Sequence, residues 1–413
     1  MDKECPLLLS RHKKIHFSFF RIGSRGKRLQ KNSIVSGSTL EKRRSEWYIA
    51  SGSEKTVRKA EEDTGDFMER WQKILQNCIC NGKDLARYFP VDIQEIDHVA
   101  KVFPFRIPVR ILDLMKDQGD PIYRQCVPDP AELAPDSSLM DDPLGEERHK
   151  AITHVVKKYP DRCLFLISNQ CAMYCRFCTR KRKFRQDFTI TQKQIDEGIE
   201  WIREHTEIHD VLLSGGDPLL LEDQKLQYIL EKIHAIEHVR FIRIGSRAPV
   251  VLPERITRKL TAMLKKFHPL YINIHCNHPA ELTPDVVESL RRLADAGIPL
   301  GSQTVLLKGV NDNVETMRSL MYALLEARVK PYYIFLSDLI YGTEHFRTSI
   351  DKGLEIIEGL RGHISGMGVP HLVIDLPGGG GKITLVPDHL RKRSGKNYTF
   401  CNYLGEEYLY PDV

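Results

Sequence analysis

Residues 163–178 read CLFLISNQCAMYCRFC, in which an apolar run passes directly into three closely spaced cysteines. The run at 163–168 has the length and composition of a buried strand. Similar runs recur at 210–214, 238–244, 271–276, 299–307, 330–336 and 371–374. Segments with helical periodicity separate them, at 191–205, 222–236, 254–267, 283–296, 313–328 and 349–365. This alternation predicts an α/β fold with a parallel sheet rolled into a partial or closed β/α barrel, and an open doubly wound sheet is the alternative.

The composition divides the 413-residue chain into four segments. Residues 1–63 form a basic extension, since residues 1–60 hold 15 Lys and Arg against 5 Asp and Glu, and we expect it to be poorly ordered. Residues 64–150 are predicted to form a helical N-terminal subdomain punctuated by prolines. The barrel is predicted at residues 151–382, and residues 383–413 form a C-terminal tail.

The overall composition is that of a globular protein, with 41% hydrophobic and 28% charged residues. No apolar stretch approaches the roughly 18 to 20 residues of a membrane-spanning helix, and the apolar run at 6–9 is far shorter than the core of a signal peptide. We therefore expect a cytoplasmic protein that does not bind a membrane. The basic extension lacks the alternating basic and aromatic residues of a nucleic-acid surface, so nucleic acid is not an expected partner.

The ends of the predicted strands carry the unusual residues of this chain. The first strand ends in the cysteine triad and the second in Ser214-Gly215-Gly216-Asp217. The sixth ends in Asp338, and the seventh ends in Asp375, which precedes a glycine run and Lys382. In a β/α barrel all strands end on one face, where the catalytic residues gather. We therefore expect these motifs to form a single site.

The cysteines Cys171, Cys175 and Cys178 have the spacing C-x-x-x-C-x-x-C, which lets one short loop place three thiolates around an iron-sulfur cube. Without a fourth cysteine nearby, one iron stays open for another ligand. A zinc site is the metal alternative, but zinc ribbons pair two C-x-x-C units or add nearby histidines. Basic residues around the triad are expected to offset the negative charge of the cluster, namely Arg176, Arg180, Lys181 and Arg182.

The segment Ser214-Gly215-Gly216-Asp217 offers backbone groups that a small zwitterion can approach closely. Its carboxylate, Asp217, is expected to receive an ammonium group. Gly-Gly-Asp by itself is an ordinary turn. Downstream of a cysteine triad, however, it is the expected cradle for the methionine part of S-adenosylmethionine. With these two motifs the chain resembles the radical S-adenosylmethionine superfamily.

Four glycines at 378–381 precede Lys382. They suggest a phosphate loop, but the nucleotide-binding pattern requires Ser or Thr after the lysine, and this chain has Ile383. Glycines also let the backbone approach a phosphorylated cofactor while presenting a lysine amine, as a Schiff base with pyridoxal phosphate requires. A flexible turn is the alternative interpretation.

The carboxylates Asp338 and Asp375 are both predicted to point into the mouth of the barrel. Paired acids in a pocket act as a general acid and base or as a receptor for a cation. Because Lys382 is available for proton chemistry, we favour a receptor for a second, remote ammonium group of the substrate. Solvated strand ends are the remaining interpretation.

The motifs between residues 66 and 400 together resemble those of the lysine 2,3-aminomutase family. They stand in the family's order, as KYPDR at 158–162, CTR at 178–180, SGGD at 214–217, IGSR at 244–247, Asp338 with HFRT at 345–348, and PGGGGK at 377–382. The resemblance implies that Lys382 is the catalytic residue that holds pyridoxal 5'-phosphate. It also implies that Arg162 and Lys158 contact the cofactor phosphate.

The same resemblance implies the substrate and S-adenosylmethionine contacts. Arg180 receives the substrate carboxylate, and Asp338 and Asp375 receive its ε-ammonium group. Residues Ser214, Gly215, Gly216 and Asp217 bind S-adenosyl-L-methionine, and His275 and Gln303 match positions near the same ligand.

The implied enzyme is an isomerase that moves the α-amino group of L-lysine from C2 to C3 and so makes β-lysine. Its cofactors are a 4Fe-4S cluster, S-adenosyl-L-methionine and pyridoxal phosphate, and its partners are an electron donor such as flavodoxin or ferredoxin and further copies of the chain. Arginine 2,3-aminomutase remains open, because a guanidinium also suits paired carboxylates. Glutamate 2,3-aminomutase is disfavoured by the two acids. A radical enzyme acting on RNA would not need the glycine-lysine element, and a non-enzymatic iron-sulfur protein would need neither aspartate.

Two departures from the family pattern are visible. Lys158 replaces the usual arginine, which keeps the charge but loses the bidentate fork. Some family members bind a subunit-bridging zinc through a C-terminal cysteine cluster and a cysteine at the place of Asn313. This chain ends soon after Cys401, so zinc is not predicted.

Overall fold

The computed structural model describes residues 68–136, 138–185 and 190–413, with the side chains of 184 and 185 left aside. The prediction for residues 1–63 lies outside this part of the chain. Asp66–Val413 form one compact unit, so the described parts of the segments predicted at 64–150, 151–382 and 383–413 belong to the same body. In the described ranges no helix combines the length and the apolar character needed to cross a membrane.

Short helices form the N-terminal part of this unit. They are α1 (Arg70–Gln76), α2 (Gly82–Leu85), α3 (Ile93–Val102), α4 (Val109–Leu112) and α5 (Pro121–Cys126). Asp92 and Asp120 begin α3 and α5 as side-chain caps that accept two backbone N–H groups each. Proline fits the first position of α5, because the backbone nitrogen at that position makes no hydrogen bond within the helix.

A ten-stranded sheet follows, with the strands in chain order. They are β1 (Lys150–Ile152), β2 (Val155–Tyr159), β3 (Arg162–Ser168), β4 (Asp210–Gly215), β5 (Phe241–Ser246), β6 (Leu270–His275), β7 (Leu300–Leu306), β8 (Val329–Leu336), β9 (His371–Leu376) and β10 (Gly381–Leu385). Strands β3 to β9 are parallel, whereas β1, β2 and β10 pair antiparallel at the two edges. The prediction of an α/β fold with a partial barrel is confirmed, because a doubly wound sheet would reverse its strand order.

The barrel is open between its two edges. In the part of the chain that the structure describes, the sheet runs from β1 to β10 without a ladder that joins them. Across the gap, the backbone N–H of Lys382 on β10 donates to the Tyr159 hydroxyl on β2 at 2.9 Å. The barrel is also hollow, as β5 shows: Ile242 and Ile244 are buried, while Phe241 and Arg243 alternate with them and line an internal cavity.

Helices cover the outside of the sheet. They are α6 (Gln192–Glu204), α7 (Asp223–His234), α8 (Ala248–Val251), α9 (Arg258–Leu264), α10 (Pro284–Asp295), α11 (Val314–Glu326) and α12 (Ile350–Leu360). Buried leucines and isoleucines recur on α7 at 226, 229, 230 and 233, which is the spacing of one helix face. The helix predicted at 254–267 is shorter than expected, because 3-10 turns occupy residues 253–255 and 265–267 on either side of α9. Asn313, at the place of the family's zinc-binding cysteine, caps α11.

The C-terminal tail of the sequence analysis is a folded element. Residues after β10 form an antiparallel sheet of β11 (Leu390–Ser394), β12 (Asn397–Cys401) and β13 (Glu407–Pro411). Register pairs Tyr398 with Tyr410 and Phe400 with Tyr408. Paired residues point to the same side of a sheet, so these four side chains share one side with Leu390, which pairs with Phe400. We call this surface the aromatic face.

The loop that carries the cysteine triad is fixed by a buried ionic group. Glu132 lies before the barrel, and Arg176 and Lys181 lie within and just after the triad; all three side chains are fully buried. Arg176 Nε is 2.8 Å from Glu132 Oε1, and Lys181 Nζ is 2.6 Å from Glu132 Oε2. Lys181 also donates to the Gly342 carbonyl at 2.7 Å. Arg176 and Lys181, which were expected to offset the cluster charge, are therefore paired with a carboxylate.

Glu132→Gln should destabilise the fold strongly, because it leaves two buried cations facing a neutral amide. Breaking a buried ion pair in this way costs about 3–5 kcal/mol in the free energy of unfolding. The matched control is Glu288→Gln, which breaks an exposed pair with Arg291 and should cost about 1 kcal/mol or less. Urea denaturation measures both, and equal losses in the two variants would contradict a stabilising role for Glu132.

Candidate active site

The predicted motifs meet in one cavity of about 1250 Å³ inside the barrel. This volume exceeds the roughly 300–1,000 Å³ of a typical small-molecule pocket, so it has room for more than one ligand. Every residue predicted for the site lines it: Lys158, Arg162, Cys171, Cys175, Cys178, Arg180, Ser214, Gly215, Gly216, Asp217, His275, Gln303, Asp338, Asp375 and Lys382.

The three thiols of the triad follow β3 and face the cavity together. Burial raises the pKa of the Cys171 and Cys178 thiols, that of Cys178 to about 11. A thiol must lose its proton to bind iron, so a nearby positive group must counteract the rise in thiol pKa that burial causes. In the described residues no three Cys, His, Asp or Glu side chains converge closely enough to hold one metal ion. The fit to an iron-sulfur cluster therefore rests on three thiol donors that share one cavity.

Arg247 is a cation of this site that the sequence analysis left without a role. Its Nη1 donates to Cys175 Sγ at 2.8 Å, and its Nη2 donates to Gln125 Oε1 at 2.7 Å. Glu281 forms an ion pair with the same guanidinium. Arg247 follows β5 directly, and its place at a strand end was the signal that could have identified it.

The Ser214–Asp217 segment differs from its predicted role in two respects. A Cβ on Gly215 would lie 2.1 Å from the Ser168 carbonyl oxygen, and one on Gly216 would lie 2.3 Å from that of Gln170. The glycines are thus required by the neighbouring backbone itself. All four hydrogen-bond sites of the Asp217 carboxylate are filled by the Ser246 hydroxyl and by backbone N–H groups of residues 219, 247 and 248. The prediction that this carboxylate receives an ammonium group is not supported by its contacts.

The positions predicted near S-adenosylmethionine lie side by side on two strands. His275 on β6 and Gln303 on β7 are register partners, and both line the cavity. Burial and the charge of Arg247 lower the pKa of His275 to about 3, so its imidazole is neutral at pH 7. A neutral imidazole can accept a hydrogen bond from a ligand, which an imidazolium cannot.

Lys382 lies directly opposite Asp375 on the antiparallel pair β9 and β10. Its Nζ is 3.0 Å from Asp375 Oδ2, and the side chain is 35% exposed to the cavity. The glycine run makes the turn between these strands, with positive φ at Gly378, Gly379 and Gly381. A Cβ on Gly379 would lie 2.5 Å from His149 Nε2, so this glycine packs against the segment at 143–149, whereas a Cβ on Gly378 would meet nothing within 4 Å.

Asp338 and Asp375 form the predicted acid pair. Asp375 contacts Lys382 and, at 3.8 Å, the Nζ of Lys158. Among the described residues the Asp338 carboxylate makes no hydrogen bond or ion pair. Burial, reinforced by the charge of Asp375, raises the pKa of Asp338 to about 7. A carboxylate in this state has much to gain from an added cation.

Arg180 approaches the cavity from the end of the cysteine loop. Its Nε donates to Glu146 Oε1 at 2.7 Å, and its Nη1 lies 3.4 Å from both Ser214 Oγ and the Gly215 carbonyl oxygen. Sequence analysis missed Glu146, which belongs to the proline-punctuated segment before the barrel and matches no motif. Arg162, by contrast, stacks on Tyr159 with 4.1 Å between its guanidinium carbon and the ring centroid.

Comparison with known proteins places the chain among radical enzymes. Residues 165–321 match the model of the Radical SAM superfamily, and residues 357–412 match that of Lysine-2,3-aminomutase. The L-lysine 2,3-aminomutase of Clostridium subterminale is 45% identical over 81% of this chain and 82% of its own. The L-lysine 2,3-aminomutase of Bacillus subtilis is 41% identical over 89% and 80%, and the glutamate 2,3-aminomutase of Clostridioides difficile 43% identical over 80% and 78%. The chain belongs to the lysine 2,3-aminomutase family of radical S-adenosylmethionine isomerases, which use a 4Fe-4S cluster, S-adenosylmethionine and pyridoxal phosphate.

Proposed function

We propose that this protein is an L-lysine 2,3-aminomutase, which moves the α-amino group of lysine from C2 to C3. The acid pair is the observation that carries the proposal. Asp338 is a cavity-lining carboxylate that has no hydrogen-bond or ion-pair partner among the described residues, and it shares the cavity with a second carboxylate, Asp375. A substrate with a distal cation would satisfy such a pair.

The two charged ends of lysine fit opposite charges in the cavity. Arg180 binds the α-carboxylate through its guanidinium edge, and Asp338 and Asp375 bind the ε-ammonium group. Asp375 is paired with the Lys382 amine in the structure.

The remaining residues hold the cofactors and exclude water. Cys171, Cys175 and Cys178 hold the cluster, and Lys158 and Arg162 hold the cofactor phosphate. The backbone of Ser214–Gly216, His275 and Gln303 borders S-adenosylmethionine, while the Asp217 carboxylate keeps its structural role. When bound, the cluster and S-adenosylmethionine supply a radical, and pyridoxal phosphate supplies the ring that carries the amino group between the two carbons.

Sequence identity does not separate lysine from glutamate as the substrate. The glutamate 2,3-aminomutase relative is 43% identical, close to the 45% of a lysine enzyme. The acid pair does separate them, since a γ-carboxylate would meet two like charges. Arginine stays the second candidate, because the unpaired Asp338 suits a guanidinium as well.

Asp338→Asn and Asp375→Asn should each lower lysine kcat/KM at least about tenfold. Each variant loses a charge-assisted hydrogen bond worth about 1.5–3 kcal/mol. Anaerobic turnover of lysine, arginine and glutamate measures the effect, while cluster and pyridoxal absorbance should stay at wild-type levels. Asp351→Asn, at an exposed position on α12, is the control. Lysine turnover within about twofold of wild type in both variants would refute the receptor role.

We also propose that copies of the chain associate through the aromatic face. Phe400, Tyr408 and Tyr410 on this face are 38%, 56% and 63% exposed. Arg393 stacks on Tyr398 at one edge of the face, and Glu406 accepts a hydrogen bond from Tyr408 at the other. A second copy turned by a two-fold rotation therefore places opposite charges across an apolar centre.

The double substitution Phe400→Ser and Tyr410→Ser should convert the oligomer to a monomer, because it removes apolar area from the centre of the interface. Sedimentation velocity measures the mass. Ile350→Ser, an exposed apolar residue on α12, is the control and should leave the mass unchanged. A wild-type monomer, or a double variant with wild-type mass, would contradict this interface.

Two further assignments complete the proposal. The cluster needs an electron from a donor such as flavodoxin or ferredoxin, which must reach the loop of the triad. The thiols must also stay reduced, which suits the cytoplasm.

A further inference from the structure

Glu146 is the centre of a charged group beside the cavity. Its side chain is 5% exposed and lines the cavity. Arg180 Nη2 lies 2.6 Å from Glu146 Oε1, Arg182 Nη2 lies 3.4 Å from Oε2, and Lys183 Nζ lies 3.5 Å from Oε2. One carboxylate thus meets three cations.

The loop that presents Glu146 is itself fixed. The backbone N–H groups of Glu146 and Glu147 donate to the Asp142 carboxylate at 3.1 and 2.9 Å. Arg182 Nη2 also lies 3.1 Å from Asp142 Oδ1. Burial opposes ionisation of Glu146, but Arg180 outweighs it and lowers the pKa of Glu146 to about 2. Glu146 is therefore a charged and immobile acceptor at neutral pH.

The Arg180 guanidinium is bound closely to Glu146 on one side and has only long contacts to described residues on the other. Its Nε and Nη2 are both within 2.7 Å of Glu146 Oε1. Among the described residues its Nη1 contacts, at 3.4 Å, only Ser214 Oγ and the Gly215 carbonyl oxygen. An arginine held along one edge is pre-organised to offer the other to a carboxylate.

We propose that Glu146 is the positioning residue that aims Arg180 at the α-carboxylate of the substrate. This inference rests on the proposed function, which assigns the carboxylate to Arg180. Glu146 acts through Arg180 and does not itself bind the substrate.

A positioning role and a simple counter-charge predict opposite changes in lysine affinity when Glu146 is neutralised. A carboxylate this close to the bound substrate carboxylate repels it, so neutralising a mere counter-charge would tighten lysine binding. Loss of a positioning residue frees the Arg180 side chain and weakens binding, because the ligand must then order the guanidinium itself.

The experiment compares L-lysine with 1,5-diaminopentane, which keeps both amines of lysine but lacks its carboxylate. The dissociation constant of each is measured on the intact holoenzyme from the change in pyridoxal absorbance. Glu146→Gln should weaken lysine binding about tenfold and leave diaminopentane binding within about twofold. Glu146→Asp, which keeps the charge but is one methylene shorter, should give a smaller loss. Glu147→Gln, at an exposed neighbour, is the matched control.

A double-mutant cycle ties the effect to Arg180. In an Arg180→Gln background, Glu146→Gln should cause no further loss of lysine affinity. Unchanged or tighter lysine binding in Glu146→Gln would overturn the inference, as would equal losses for both ligands. If Arg180→Gln weakens lysine while Glu146→Gln does not, the inference fails and the proposed function stands. If Arg180→Gln leaves lysine binding unchanged, the carboxylate assignment fails with it.

Discussion

Alanine at any one of Cys171, Cys175 and Cys178 should remove the iron-sulfur cluster and reduce aminomutase turnover to background. Three thiols face one cavity, and each must supply one iron ligand if the remaining iron is to stay open for S-adenosylmethionine. A variant with two of the three cysteines supplies only two protein ligands, which is too few for this arrangement. Iron and sulfide content and the electron paramagnetic resonance of the anaerobically reconstituted protein measure the loss.

Two variants make this result specific. Cys80→Ala removes an exposed thiol on the N-terminal part of the unit and should keep both cluster and activity. The triple alanine variant of the triad should bind no cluster at all. Wild-type iron content and spectra in that triple variant would show that other residues hold the iron.

The architecture was predictable because each strand carries its own signal. Apolar runs of strand length were sufficient for the parallel strands, and β3, β4, β6 and β7 begin and end within one residue of the predicted bounds. The run at 238–244 begins later, at Phe241, because Val239 N–H bonds back to the Ile236 carbonyl in a turn. The C-terminal sheet was missed although its aromatic residues alternate, since its strands are short and exposed.

The site was predictable where a residue stands at the end of its own strand. Asp375 and Asp338 were identified in this way and Lys382 by the glycine run before it, and the structure brings all three to one cavity. Glu146 could not be assigned, because its role depends on a partner 34 residues away, whereas Arg247 stands at a strand end and only its partner, 72 residues away, was hidden in the sequence. Sequence spacing locates a side chain on its own element but does not show which distant charge it meets.

The reasons behind a motif were harder to infer than its position. Asp217 was assigned to a ligand ammonium, yet backbone N–H groups and the Ser246 hydroxyl occupy its carboxylate. Gly215 and Gly379 were assigned to ligand approach, yet each is required by a neighbouring segment of the chain. Close packing selects glycine as strongly as a bound cofactor does, and the two causes look alike in a sequence.

Lys382→Ala should abolish turnover and the pyridoxal absorbance band together. Lys382 Nζ points into the cavity from β10 and is 35% exposed, so it is accessible to an aldehyde. Two other lysines line the same cavity and could compete: Lys158, 15% exposed, and Lys183, 19% exposed. Lys183 is held by Glu146, and Lys158 is less exposed, so neither should replace Lys382.

Borohydride reduction followed by peptide mapping separates the three lysines. The wild-type protein should carry the pyridoxyl group on the peptide that contains Lys382, and Lys158→Gln should carry it on the same peptide with weaker cofactor retention, since it loses a phosphate contact. Lys382→Arg keeps the positive charge opposite Asp375 but cannot form the covalent bond, so it should be as inactive as Lys382→Ala. A pyridoxyl group on Lys158 or Lys183 in the wild-type protein would move the catalytic amine to β2 or to the turn after the cysteine triad, and the pairing of β9 with β10 would then have no part in presenting it.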